Sequence, residues 1–170
     1  MSGKAILGID ITDIDTSSQA AFALLTTGAT DSQSGGTREY IYVQYAASTD
    51  FSVGDVVAIS AAGVATPITT ANAAPGQSVG RKVGVVVRAV SSLATPQYGW
   101  VQVSGIGAIR VLASAVLNTP LNTTATAGVL DDDATAGSRV IDGVVLNATN
   151  GGSTALVAAM LNNPFVGRTL

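Results

Sequence analysis

The sequence predicts an all-β protein: a small β-barrel or sandwich of about eight to ten short strands, with an extended N-terminal arm and a C-terminal tail. Two observations predict it. Runs rich in Val, Ile and Tyr recur along the chain, each bounded by Gly, Pro or Asn. The apolar runs, moreover, have strand length, and no stretch sustains the period of a long helix.

Residues 1–37 read as an extended arm and flexible loop. Asp10-Ile11-Thr12-Asp13-Ile14-Asp15 alternates and fits one added strand; Ala20–Leu25 is ambiguous between a helical turn and a strand. Thr26–Thr37 (TTGATDSQSGGT) is loop by composition. A leader so poor in periodic signal gains order by lying on a neighbouring subunit.

Residues 38–161 read as the β-barrel domain. Arg38–Ala46 is a strand with apolar or amphipathic side chains on both faces, so protein is expected on both sides of it. Gly54-Asp55 marks a turn or bulge before the strand Val56–Ile59; Ala61–Val64 connects it to a return strand from Ala65, with Pro67 at an edge or unbonded position. Asn72–Gly80 is a loop. Lys82–Val90 is a strand, and Ser91–Gln97 closes it. Tyr98–Ser104 then places Tyr98, Trp100 and Gln102 on one face and Gly99, Val101 and Val103 on the other. Gly105 and Gly107 bracket a turn or bulge before Ile109–Leu112. Ala113–Ala127, with Pro120, fits short extended pieces, and Asp131-Asp132-Asp133 a solvated tip. Arg139–Leu146 and Ser153–Leu161 are closing strands joined by the hairpin linker Asn147–Gly152. Residues 162–170 form an apolar-tipped tail.

Composition narrows function. The 170 residues include no cysteine and no histidine. Disulfides, thiolate sites, the usual neutral-pH general base and the Ser–His and Cys–His triads are thereby excluded. Only 11% of residues are charged and the net charge is −3. Little repulsion keeps copies apart, which suits a protein packed against others. No apolar run is long enough for a membrane-crossing helix, and Asp10 interrupts the start before a secretory core develops. The scattered basic residues make no nucleic-acid footprint. The acidic triplet lacks the spacing of a calcium loop, and three consecutive residues rarely converge on one ion, so no metal and no cofactor is expected. Gly105-Ile106-Gly107 and Gly80–Gly84 fit neither dinucleotide nor P-loop spacing. The chain is expected not to be an enzyme.

Three segments, Val53–Val57 (VGDVV), Val83–Val90 (VGVVVRAV) and Trp100–Gly105 (WVQVSG), with the end Met160–Gly167 (MLNNPFVG), together resemble the capsid cement, or head decoration, proteins of tailed bacteriophages. The resemblance spans about residues 38–167. It implies a β-barrel body that assembles as a homotrimer on the outer surface of the capsid of the virion. There it bridges subunits of the major capsid protein, with an arm reaching a neighbour and no catalytic residues. Aromatic side chains anchor interfaces, so Tyr40, Tyr42, Tyr45, Tyr98 and Trp100 are the expected contact residues, with Phe165 and Leu170 fastening the tail. The alternative from the same residues is a glycan-binding β module of a phage tail, fibre or adhesin, using Trp100 in an open groove.

Overall fold

A computed structural model describes residues 9–16, 19–32, 36–74, 76, 82–91 and 95–170. The leader before Ile9, residues 17–18 and 33–35 of the arm, residues 75 and 77–80 of the Asn72–Gly80 loop with Arg81, and residues 92–94 of the connection after the fifth strand lie outside the described residues. Among the described residues there are ten strands and no helix: β1 Thr27–Ser32, β2 Gly36–Tyr45, β3 Val56–Ile59, β4 Val64–Pro67, β5 Lys82–Val86, β6 Gln97–Val111, β7 Leu121–Thr123, β8 Leu130–Asp131, β9 Arg139–Leu146 and β10 Ala155–Thr169.

The long β6 organises them. Its first half pairs with β2 and β5, and β2–β4, β4–β3 and β3–β5 complete a circuit of five strands. Its second half pairs with β10, and β10–β9, β9–β7, β7–β8 and β8–β6 complete another. The circuits are uneven, since β8 has two residues and meets β6 through one pair, Val111↔Leu130. The result is one all-β body nearer a sandwich of curled sheets than a regular barrel.

Why β6 changes partners is local. Gly105 has φ +88°, and just before it β6 carries a register shift against β2: Gln102 pairs with Tyr40 and Ser104 with Glu39, leaving Val103 as the extra residue. Side chains disfavour that backbone conformation, so glycine lets the strand bend from one circuit to the other. Buried Gln102 secures the bend by donating to the Ser104 and Ile106 carbonyls at 3.0 and 3.1 Å. The glycine pair expected to mark a turn or bulge thus bends one continuous strand and reverses nothing.

Strand alternation sorts the apolar side chains into three cores. Ile41, Val43 and Tyr45 of β2 meet Val57, Ile59, Val86, Val101 and Val103 inside the first circuit. Val56, Ala58, Val83 and Val85 turn the other way and join Ile109, Leu121, Leu130, Ile141, Leu146, Leu161 and others in the second. β3 and β5 are therefore a wall shared by two cores, which is why VVAI and VGVV read as continuous apolar runs. Each such side chain contributes about 1.5–3 kcal/mol of burial. The third core holds Tyr40, Tyr42, Tyr98 and Trp100 on the outer side of β2 and β6.

Three expectations need correction. Thr26–Thr37, read as loop, contains β1, which pairs with β2 in six consecutive register pairs from Thr27↔Ile41 to Ser32↔Gly36. Its Gly, Asp and Ser content is poor strand material, and the preformed edge of β2 overrides it. Asp10–Asp15 makes no strand; it turns at Ile11-Thr12, and its backbone pairs with the sheet through one bridge, Asp15↔Tyr98. Residues 162–170, read as a tail, continue β10 to Thr169. Asn163 (φ +47°) and Pro164 occupy a register shift against β9, where Gly143 (φ +82°) yields space, so the proline sits where no ladder bond is required of it.

Candidate functional site

Four of the five aromatic residues expected at an interface, Tyr40, Tyr42, Tyr98 and Trp100, are brought together, but their own chain covers them. Tyr42 and Trp100 are cross-strand partners whose rings meet at 5.1 Å, and Tyr42 stacks on Tyr98 at 6.4 Å. Phe22 closes over both Tyr42 and Trp100 at 5.2 and 5.4 Å, flanked by Ile9, Ile11, Ala20 and Leu24. Two glycines make the floor: a Cβ on Gly28 would strike Ile9 and on Gly63 Leu24. The protein expected on the second face of β2 is thus supplied by residues 9–11 and 20–24 of the same polypeptide. Tyr45 faces the opposite way, against Phe51, and its hydroxyl donates to the Trp100 carbonyl at 3.2 Å. Burial pushes its phenol well above the ordinary tyrosine range. Trp100 is 2% exposed, so the open groove on which glycan binding was expected to rest is absent at that residue.

Phe165 and Leu170 lie at the surface, as do Val145, Leu156 and Met160, which sequence reasoning did not single out. Alternation in β10 points Leu156, Ala158 and Met160 outward while Val157, Ala159 and Leu161 enter the core. A solvated strand would carry polar residues at the outward positions. Register extends the apolar stripe sideways. Met160 faces Val145 on β9 and Ile106 on β6, Ala158 faces Ala108, and Leu156 lies against Gly54 beside exposed Val53. Val53, Ile106 and Ala108 also line a cleft of about 380 Å³ with Ile11, Arg38, Tyr40 and Gln102. The stripe was legible in ALVAAML once that segment was placed as a strand covered on one face only.

Two polar features complete the surface. Asp55, buried at the Gly54 turn, accepts from Ser52 N–H at 2.7 Å and pairs with Arg110 Nε at 3.1 Å. The Arg110 contact is ionic, without the alignment of a hydrogen bond. Burial outweighs both partners and raises the Asp55 carboxyl above its ordinary value. Asp131 and Asp133 share a cleft of about 390 Å³ with hydroxyls of Thr70, Thr123, Thr124, Thr126, Thr135 and Ser138. Burial raises Asp131, and its two acidic neighbours add to that. Asp132 instead accepts from Val116 N–H and Thr119 Oγ1 at 3.0 and 3.4 Å, so the triplet splits between a cleft wall and a loop tie. Among the described residues no group of three or more carboxylates is arranged to hold a metal ion.

No protein-family model matches the sequence, and no curated protein matches it.

Proposed function

We propose that this chain is a structural capsid decoration protein. In this reading it binds the outer surface of a phage head, bridges major capsid protein subunits and catalyses nothing. The observation that carries the reading is the outward apolar stripe of Leu156, Ala158 and Met160, widened by Val145 and Ile106. Contiguous exposed apolar surface of this kind belongs to a protein that spends its working life covered. The low charge and the three segments resembling head decoration proteins support the same reading.

The mechanism follows from multivalency. Each stripe is small and contributes a modest contact. A homotrimer gripping the shell at several points gains effective concentration, so occupancy far exceeds what one contact supports. Shell rupture under internal pressure then requires these contacts to break as well. The chemistry left by a chain without histidine or cysteine is compatible with that passive role.

Binding to shells stripped of decoration tests the proposal. Met160→Glu and Leu156→Glu, at positions already in water, are expected to leave the melting temperature unchanged and to abolish most occupancy. Full occupancy by both variants would remove the stripe from the mechanism.

A further inference from the structure

β1 is the edge of the sheet: among the described residues it pairs with β2 on one side and with nothing on the other. Which of its backbone groups face outward follows from how the strand begins. Leu25 N–H donates to the Tyr42 carbonyl, and Tyr42 N–H donates to the Thr26 carbonyl, so residues 25 and 26 together oppose Tyr42. Leu25 has φ +68°, the left-handed first position of a bulge that normally takes glycine. The bulge fixes the phase of the ladder. Hydrogen-bonded pairs recur every second residue, at Gly28↔Tyr40 and Thr30↔Arg38, which leaves N–H and C=O of Thr27, Ala29 and Asp31 directed away from β2.

Edges normally carry a lysine, a proline or an irregularity that discourages pairing. β1 (TGATDS) has neither residue, and its six register pairs run without a shift. Its side chains are small, and its one charge is Asp31. This edge is built to accept a strand.

We propose that it accepts β1 of a second copy, antiparallel about a twofold axis at Ala29. Thr27 then faces Asp31 of the second copy, Gly28 faces Thr30, and Ala29 faces Ala29. The outward groups of residues 27, 29 and 31 all find partners in this register, with two hydrogen bonds at each facing pair. Charge selects the direction. An in-register parallel pair sets Asp31 beside Asp31, whereas the antiparallel one sets each carboxylate against a threonine hydroxyl and separates the two anions. The contact is isologous and closes at two copies. It is independent of the capsid reading and additional to any threefold packing.

Sedimentation of the full chain over about a hundredfold range of concentration is expected to reveal a reversible dimer. Ala29→Pro removes the central donor from both copies and is expected to weaken the dimer about tenfold or more. Ala29→Lys and Ala29→Glu, each alone, set like charges face to face and are expected to be monomeric; mixed, they are expected to pair again, which a misfolded variant could not do. A wild-type chain that stays monomeric throughout overturns the proposal. So does self-association that the Ala29 variants leave unchanged, or a Lys/Glu mixture that stays apart. Shell occupancy, measured separately, reports on the decoration reading alone.

Discussion

Replacing three glycines by alanine separates backbone strain from steric conflict and tests the bend on which the two-circuit fold depends. Gly151 has open space around it and no positive φ; Gly137 has open space and φ +87°; Gly105 has φ +88° and a backbone oxygen, that of Thr37, 2.7 Å from where a Cβ would stand. Gly151→Ala is therefore expected to change stability by less than about 0.5 kcal/mol. Gly137→Ala adds the left-handed penalty, about 1–2 kcal/mol. Gly105→Ala adds to that an overpacking cost of about 1–3 kcal/mol, because the conflicting atom belongs to β2 and no side chain can swing aside. The total of about 2–5 kcal/mol lowers the melting temperature by roughly 10 °C for a chain of this size. Urea midpoints and calorimetry on the three variants read the series. Equal stabilities for Gly105→Ala and Gly137→Ala would refute the close approach of β2 at the bend, and with it the explanation of why β6 changes partners there.

Two further expectations concern pH. The raised Tyr45 phenol favours the folded state fully below the unfolded tyrosine value of about 10, and that contribution is lost as pH rises through the higher folded value. Urea midpoints of the wild type should thus fall above pH 10. Tyr45→Phe should flatten that fall while costing about 1 kcal/mol at neutral pH for the bond to Trp100, and an unaltered alkaline slope would contradict its burial. Asp55 behaves in the same sense in a lower pH range: its folded value lies above the unfolded one of about 3.9, so its ionisation costs stability as pH climbs from there. Arg110→Met withdraws the partner cation and should cost about 1–2 kcal/mol at pH 7, a figure reduced because the Arg110 side chain is 34% exposed. The deficit should shrink as the solution is acidified and Asp55 protonates; a deficit equal at pH 7 and pH 4 would show that the ion pair contributes nothing.

Most of the strand order was legible because period-2 patterning and glycine punctuation are local signals. Val56–Ile59 and Arg139–Leu146 match the sequence reading residue for residue, and the two-faced character of β2 was visible in its three tyrosines. β1 was invisible for the converse reason: TGATDS has no strand preference of its own and is a strand because β2 offers an edge. Asn162-Asn163-Pro164 looked like a terminator, since only the facing Gly143 reveals a bulge that tolerates proline. The aromatic residues illustrate the same limit at the candidate site. Their chemistry marked them as an anchor, but composition cannot say whose residues cover an anchor.

The sequence by itself determined that this chain is all-β, sparsely charged and without histidine or cysteine chemistry, because composition and alternation act over a few neighbouring residues. The tertiary structure alone decided that β6 serves two circuits, that Ile9, Ile11, Ala20, Phe22 and Leu24 shield Tyr42 and Trp100, and that Leu156, Ala158 and Met160 are among the apolar groups left at the surface. Those outcomes depend on register between segments far apart in the chain, and a one-residue shift in register exchanges every buried side chain for an exposed one.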